Sequence, residues 1–172
     1  YDPEKNKIVE KEIEYIPALY NIYNEILVNA KDQSTRLNGL FKKDKSVNIV
    51  SEIKVTFNSE TGEISIMNNG DGIDVAEHPK EKKNGKPIYI PQLIFGELLT
   101  STNYNKDEQK VVGGKNGYGA KLTNIFSKSF KLETVDSRRK KKYTQLFRGN
   151  MKIINKPKII DYSGKPYTKI TW

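Results

Sequence analysis

The apolar residues of this chain change period partway along, and that change limits the fold more than any other feature. Ile16, Leu19, Tyr20, Tyr23, Ile26, Leu27 and Ala30 recur at steps of three and four, the spacing of one helix face over residues 16–33. In SEIKVTF the step falls to two at Ile53, Val55 and Phe57, and EISIMN resumes it with Ile64 and Ile66 beyond the NSETG turn. A helix followed by a hairpin is the prediction. A second helix fits PQLIFGELLTS, with Pro91 in its first turn and Leu93, Ile94, Leu98 and Leu99 on one face. A third fits AKLTNIFSK, where Leu122, Ile125 and Phe126 fall together. SFKLETVDS, KKYTQLFRG, KIINKPKII and YTKITW read as strands joined by turns, with residues 137–140 at a hairpin tip. LNGLFKKDKSVN, NNGDGI, HPKEKKNGKP and NYNKDEQKVVGGKNGYG read as loops. Half-apolar helices and half-apolar strands bury their faces against each other. The expected class is therefore α+β, a two-layer α/β sandwich with a mixed, mostly antiparallel sheet, and 172 residues suit a single domain.

Charge is unevenly spread. Residues 1–100 hold 13 basic and 16 acidic side chains, whereas residues 101–172 hold 17 basic and 5 acidic, for a formal net charge of +9. A basic rear half suggests a polyanionic partner, a nucleotide or a nucleic acid. The absence of cysteine excludes disulfides, thiolate zinc sites and a thiol nucleophile. His78 is the only histidine, so a multi-histidine metal site is excluded too. His78 lies in a charged stretch and is given no catalytic role. No apolar run approaches the ~20 residues of a membrane-spanning helix. The chain opens at Tyr1 without a methionine and stops in a strand-like segment, so it is expected to be a piece of a longer protein.

Three groups of residues carry candidate chemistry. On the first helix Glu25, Asn29 and Asp32 fall within about 60° of one another, opposite the apolar stripe. That spacing is also the ordinary solvated face of an amphipathic helix. Ile22 and Val28 flank it, however, as aliphatic residues flank the polar wall of a pocket. A carboxylate there can take a proton from water, and an amide oxygen one turn on suits Mg²⁺. Asn68 continues the parity of Ile64 and Ile66, so its side chain is expected on the buried side of the strand. It either meets a ligand's donor–acceptor edge or caps the following turn. Gly70 and Gly72 follow directly.

The third group is GGKNGYGAK, residues 113–121. Glycines that lead into a helix with Lys121 in its first turn suit a phosphate cradle, since backbone N–H groups can meet an anion there. The run is not a Walker A loop, because Ala120 follows Gly119. Nor is it a dinucleotide fingerprint, because Leu122 stands where the third glycine belongs. The basic run from Arg138 to Lys142 reads either as a solvated hairpin edge or as a contact to a DNA backbone.

NEILVNAKD, NNGDGI, PQLIFGELLTSTNY and GGKNGYGAKLTNIFS resemble, in order and spacing, the ATPase domain of eukaryotic-type type IIA DNA topoisomerase. The resemblance runs from Ile16 to Phe130 and continues weakly to Trp172. It implies the Bergerat, or GHKL, fold of gyrase and of the mismatch-repair and chaperone ATPases, with helices on one face of a mixed eight-stranded sheet. It also implies an ATP site with Mg²⁺. In that site Glu25 is the general base and Asn29 the Mg²⁺ ligand. Asn68 lies on the adenine side, where gyrase has an aspartate. Ser101, Thr102 and Asn103 are sugar and phosphate contacts. Gly114, Lys115, Asn116, Gly117, Tyr118, Gly119, Ala120 and Lys121 form the phosphate-binding lid.

Asn24 departs from the aspartate usual before the catalytic glutamate. On this resemblance residues 1–172 are an N-terminal ATPase domain without the transducer domain and the extreme N-terminal arm, and bind nucleotide better than they hydrolyse it. The implied partners are DNA, through the full-length enzyme, and a second copy on ATP binding, with no membrane. The implied location is the nucleus, or the cytoplasm for a large DNA virus, whose AT-rich coding would suit the Lys/Asn/Ile-rich composition. The competing readings are another GHKL ATPase and a non-enzymatic basic module that grips nucleic acid with its glycine loop.

Overall fold

The computed structural model describes residues 1–98 and 118–172. Its elements are α1 (Pro17–Phe41), β1 (Ile53–Asn58), β2 (Glu63–Asn69), β3 (Glu77–Lys83), β4 (Lys86–Tyr89), α2 (Ile90–Gly96), α3 (Gly119–Ile125), β5 (Ser129–Asp136), β6 (Lys141–Arg148), β7 (Ile153–Ile154), β8 (Lys158–Asp161) and β9 (Tyr167–Thr171). Seven strands form the main sheet in the order β1-β2-β9-β5-β6-β7, with β8 also paired to β6. β3 and β4 form a separate hairpin. Among the described residues every strand pairing is antiparallel, where the resemblance implied a mixed sheet of eight strands.

One apolar layer joins the sheet to the helices. Phe130 and Leu132 of β5, Tyr143 and Phe147 of β6, Ile66 of β2 and Ile170 of β9 pack with Ile26 and Ala30 of α1, Phe95 of α2 and Ala120 of α3. Phe130 is central to it. Its ring lies 6.0 Å from that of Phe95 and 5.9 Å, edge-on, from that of Phe147. Aromatic pairs of this geometry add about 0.5–1.5 kcal/mol to the burial itself.

The sequence expectations hold for the helices' existence and for most strands, and fail in three instructive places. α1 runs on to Phe41 because Leu37 extends the buried row of Ile26 and Ala30 and packs on Val47 and Val50. The stretch read as a loop from Leu37 therefore begins as helix. At the other end of α1, Ile16, Leu19 and Tyr20 are exposed, so only the central part of the expected stripe is core. HPKEKKNGKP is not a loop but most of the β3–β4 hairpin, turned by Asn84 and Gly85 in the left-handed region. Its strands are dominated by charge, so no apolar alternation marks them.

α3 inverts its expected face. Leu122 and Phe126 are 44% and 66% exposed, while Ala120, Lys121, Thr123 and Asn124 are buried. The buried polar atoms find partners across the helix layer. The Thr123 hydroxyl donates to the Ile22 carbonyl at 2.8 Å and the Asn124 amide to the Phe95 carbonyl at 2.9 Å. In α2, similarly, Leu93, Phe95 and Gly96 are buried whereas Ile94 and Leu98 are exposed; Leu99 lies outside the described residues.

The turn after β5 is fastened by Asp136, which is buried. Its carboxylate accepts from the backbone N–H groups of Val75, Arg138 and Arg139 and from the Arg139 guanidinium at 2.8–3.0 Å. Burial opposes the charged form, but the donors of Arg139, Val75 and Arg138 outweigh it and hold the carboxyl below its ordinary value. A lowered folded-state value means that this stability is present above about pH 4 and fades as pH falls through the folded value. Asp136→Asn is therefore expected to destabilise the fold by about 2 kcal/mol at neutral pH, the scale of a hydrogen bond to a charged group. Urea unfolding at pH 7 and pH 3 checks this. The difference between the two proteins should shrink at the lower pH.

Candidate functional site

The helix face that bears Glu25 and Asn29 is turned toward the protein. At one end of it, the Ile22 carbonyl accepts the Thr123 hydroxyl of α3. At the other, the Gln33 side chain donates to the Gly72 carbonyl at 3.3 Å. Glu25 and Asn29 lie between these two ties and are both half-buried. The solvated-face reading of this stripe is therefore not the one the structure adopts. The Glu25 carboxylate fills the space in which any side chain at position 119 would lie. Glycine at the start of α3 is what lets the lid helix close against the carboxylate.

Asn68 is buried on the inner face of β2, as its parity predicts. Its amide donates to the Asn69 carbonyl at 2.8 Å. Sheet register then sets beside it two residues that the sequence reading missed. Asn68 is paired with Thr168 of β9, and Thr168 with Thr134 of β5. The two threonine hydroxyls are 3.0 Å apart and buried. Thr134 also accepts the Ile73 N–H at 2.9 Å. A polar row thus crosses three strands at one end of an otherwise apolar face. The only sequence signal for it is parity: Thr134 falls in step with Leu132, and Thr168 with Ile170.

The NNGDGI loop is bolted over this row. Asp71 accepts the Asn48 backbone and side-chain N–H groups at 3.1 and 2.6 Å and the Ser137 hydroxyl at 3.0 Å. Gly72 has φ +74°, and its Cα faces the Val135 carbonyl so closely that no side chain fits. The loop therefore follows the end of β5 in a way that only glycine allows.

Lys121, expected in the first turn of α3, is 4% exposed. Burial pushes its ammonium below the ordinary value, and Glu97 acts in the opposite direction. Tyr118, Gly119 and Ala120 lead into and start α3 beside it. Ser101, Thr102, Asn103, Gly114, Lys115, Asn116 and Gly117 lie outside the described residues. Among the described residues no group of three His, Cys, Asp or Glu side chains could hold a metal, and no helix is long and apolar enough to cross a membrane.

The basic run is largely engaged within the chain. Arg139 pairs with Asp136 and, at 3.4 Å, with Asp74. Lys141 pairs with Asp161 at 2.6 Å, and Lys142 lies 3.8 Å from Glu133 and over the rings of Tyr162 and Tyr167. His78 uses Nδ1 to accept the backbone N–H groups of Lys80 and Glu81, a structural task within β3.

No family model matches the chain. Curated relatives do. The chain is 51% identical over 166 residues to DNA topoisomerase 2 of Acanthamoeba polyphaga mimivirus, covering 96% of this chain and 12% of that protein. It is 47% identical over 172 residues to the Penicillium chrysogenum enzyme of the same name, covering 100% of this chain and 10% of that one. Among solved structures, the ATPase region of Saccharomyces cerevisiae topoisomerase II superposes with a TM-score of 0.83 at 46% identity, over 99% of this chain and 42% of that one. The ATPase and transducer domains of topoisomerase II from Balamuthia mandrillaris give 0.84 at 44% identity, over 99% and 41%.

This domain belongs with the ATPase regions of DNA topoisomerase 2. It spans about a tenth of the length of the curated relatives it matches. The topoisomerase resemblance read from four motifs thus extends across the whole chain, weakly matched strands included.

The contact between Glu25 and Gly119 yields a double-substitution test. Gly119→Ala is expected to cost about 1–3 kcal/mol, as overpacking does. Glu25→Ala in the same chain is expected to restore much of that loss by vacating the space. Denaturant unfolding of the two single variants and the double variant measures the coupling; additive losses would mean that the carboxylate does not stand against Gly119.

Proposed function

We propose that this domain binds and hydrolyses ATP, and that in the longer protein nucleotide binding closes two such domains as a gate for the passage of one DNA duplex through another. The observation that carries the reading is the arrangement of Glu25 on a buried helix face, against the first residue of α3 and one turn from Asn29. The match in sequence and fold to topoisomerase II ATPase regions supports it over another GHKL ATPase or a basic nucleic-acid module. The internal pairing of Arg139, Lys141 and Lys142 also weakens the basic-module reading.

In this reading the polar row of Asn68, Thr168 and Thr134 receives the donor–acceptor edge of the base, under the Gly70–Gly72 loop. Ser101, Thr102 and Asn103 contact sugar and phosphate, and residues 114–121 wrap the phosphates, with Lys121 supplying a cation. Glu25 takes a proton from the water that attacks the γ-phosphate in line. Asn29 offers an amide oxygen to the cation carried by the nucleotide. A site with a single protein oxygen and no carboxylate cluster suits Mg²⁺, which keeps its waters and binds mainly through substrate phosphates. When bound, that ion neutralises charge developing on the phosphates. The nucleus is the proposed location by family default, or the cytoplasm for a large DNA virus.

Glu25→Ala is expected to leave the affinity for Mg²⁺ and a non-hydrolysable ATP analogue within a few-fold, and to reduce turnover of the full-length protein by about 10²–10⁴. Calorimetric titration and a phosphate-release assay check the two halves. Turnover like that of the unsubstituted protein would remove Glu25 from the role of base.

A further inference from the structure

Glu97, the residue that follows α2, stands where three elements meet. Both of its carboxylate oxygens accept from the Lys83 ammonium at 2.9 Å, at the end of β3. One of them also accepts the Gln92 amide at 2.8 Å. The Gln92 carbonyl oxygen in turn accepts from Gln145 at 2.8 Å, and Gln145 accepts the Tyr143 hydroxyl at 2.6 Å. Gln145 and Tyr143 are fully buried on the inner face of β6. The carboxylate is thus held by a chain of hydrogen bonds that starts in the core, and its side chain is only 14% exposed.

Lys121 lies within the field of this carboxylate. The helix that carries it packs on α2 and α1, whose charged groups on that side are Glu97 and Glu25. A buried ammonium is costly without an anion nearby.

We infer that Glu97 is a positioning residue for the nucleotide site: it holds the Lys121 ammonium in the nucleotide-free protein, and an incoming triphosphate takes that ammonium over. The inference rests on the ATP-binding reading above and deepens it. Lys83 makes the exchange feasible. When Lys121 turns to a phosphate, the Glu97 carboxylate keeps its two bonds to Lys83 and is not left buried and unpaired. Two lysines thus share one carboxylate, and nucleotide binding leaves one lysine for each anion. The β3–β4 hairpin, which had no assignable role as a loop, becomes the element that brings the second lysine.

The test is calorimetric titration of the full-length chain with Mg²⁺ and the non-hydrolysable analogue AMPPNP at low salt. Glu97→Gln, which keeps an acceptor for Gln92, removes the competing charge and is expected to tighten binding about three- to tenfold. Lys83→Gln leaves the carboxylate to Lys121 alone and is expected to weaken binding by a similar factor. In a Lys121→Met background both effects should vanish, because Glu97 acts through Lys121. Adenosine, which has no phosphate, should bind the unsubstituted chain and Glu97→Gln equally. Unchanged or weaker AMPPNP binding by Glu97→Gln, or a gain that persists with Met at 121, overturns the inference. Failure of the unsubstituted chain to bind AMPPNP at all overturns the ATP reading, and the inference with it.

Discussion

The structure depends on the insertion of β9 between β2 and β5. The last strand of the chain completes two backbone ladders at once, pairing Ser65 to Asn69 on one side and Lys131 to Thr134 on the other. Without it, the β1–β2 hairpin and the β5–β6 hairpin would be separate ribbons, each with an open edge and half a core. With it, Ile66, Ile170 and Leu132 fall in one row and Asn68, Thr168 and Thr134 in the next. The first row belongs to the core under the helices. The second is the polar strip on which the candidate site rests.

The helix layer is held over that strip by polar contacts within an apolar interface. α3 is too short to dock by apolar burial alone, and it turns Leu122 and Phe126 outward. It docks instead through hydrogen bonds to backbone carbonyls of both neighbouring helices, from Thr123 to Ile22 and from Asn124 to Phe95. Such bonds fix orientation more tightly than an oily contact would, because each buried donor has one acceptor in reach. A fixed α3 in turn fixes what stands around it. Glu25 lies against Gly119, and Lys121 is buried on the side nearer Glu97.

Much of the site was legible because its residues lie within elements whose period is plain. Glu25 and Asn29 share a face at helical spacing, and Asn68 follows the parity of Ile64 and Ile66. The reading failed where a contact from a distant element overrode the local pattern. Leu37 extends α1 because Val47 and Val50 return to cover it. The β3–β4 hairpin is built from lysines and glutamates, so its strands lack the apolar alternation that marks the others. Thr134 and Thr168 carry ordinary strand parity and nothing that singles them out. Their relation to Asn68 exists only once three strands are aligned.

The sequence by itself determined the class of fold, the helix that carries Glu25 and Asn29, the inward aim of Asn68 and the glycines of the lid. Each of these follows from local geometry, from the 3.6-residue turn, the two-residue pleat and the missing Cβ of glycine. Tertiary structure alone decided that β9 lies at the centre of the sheet, that the polar face of α3 is the buried one, and that Lys83 meets Glu97 near Lys121. Those outcomes depend on pairing partners far apart in the chain, where burial and hydrogen-bond satisfaction are settled for the whole domain at once.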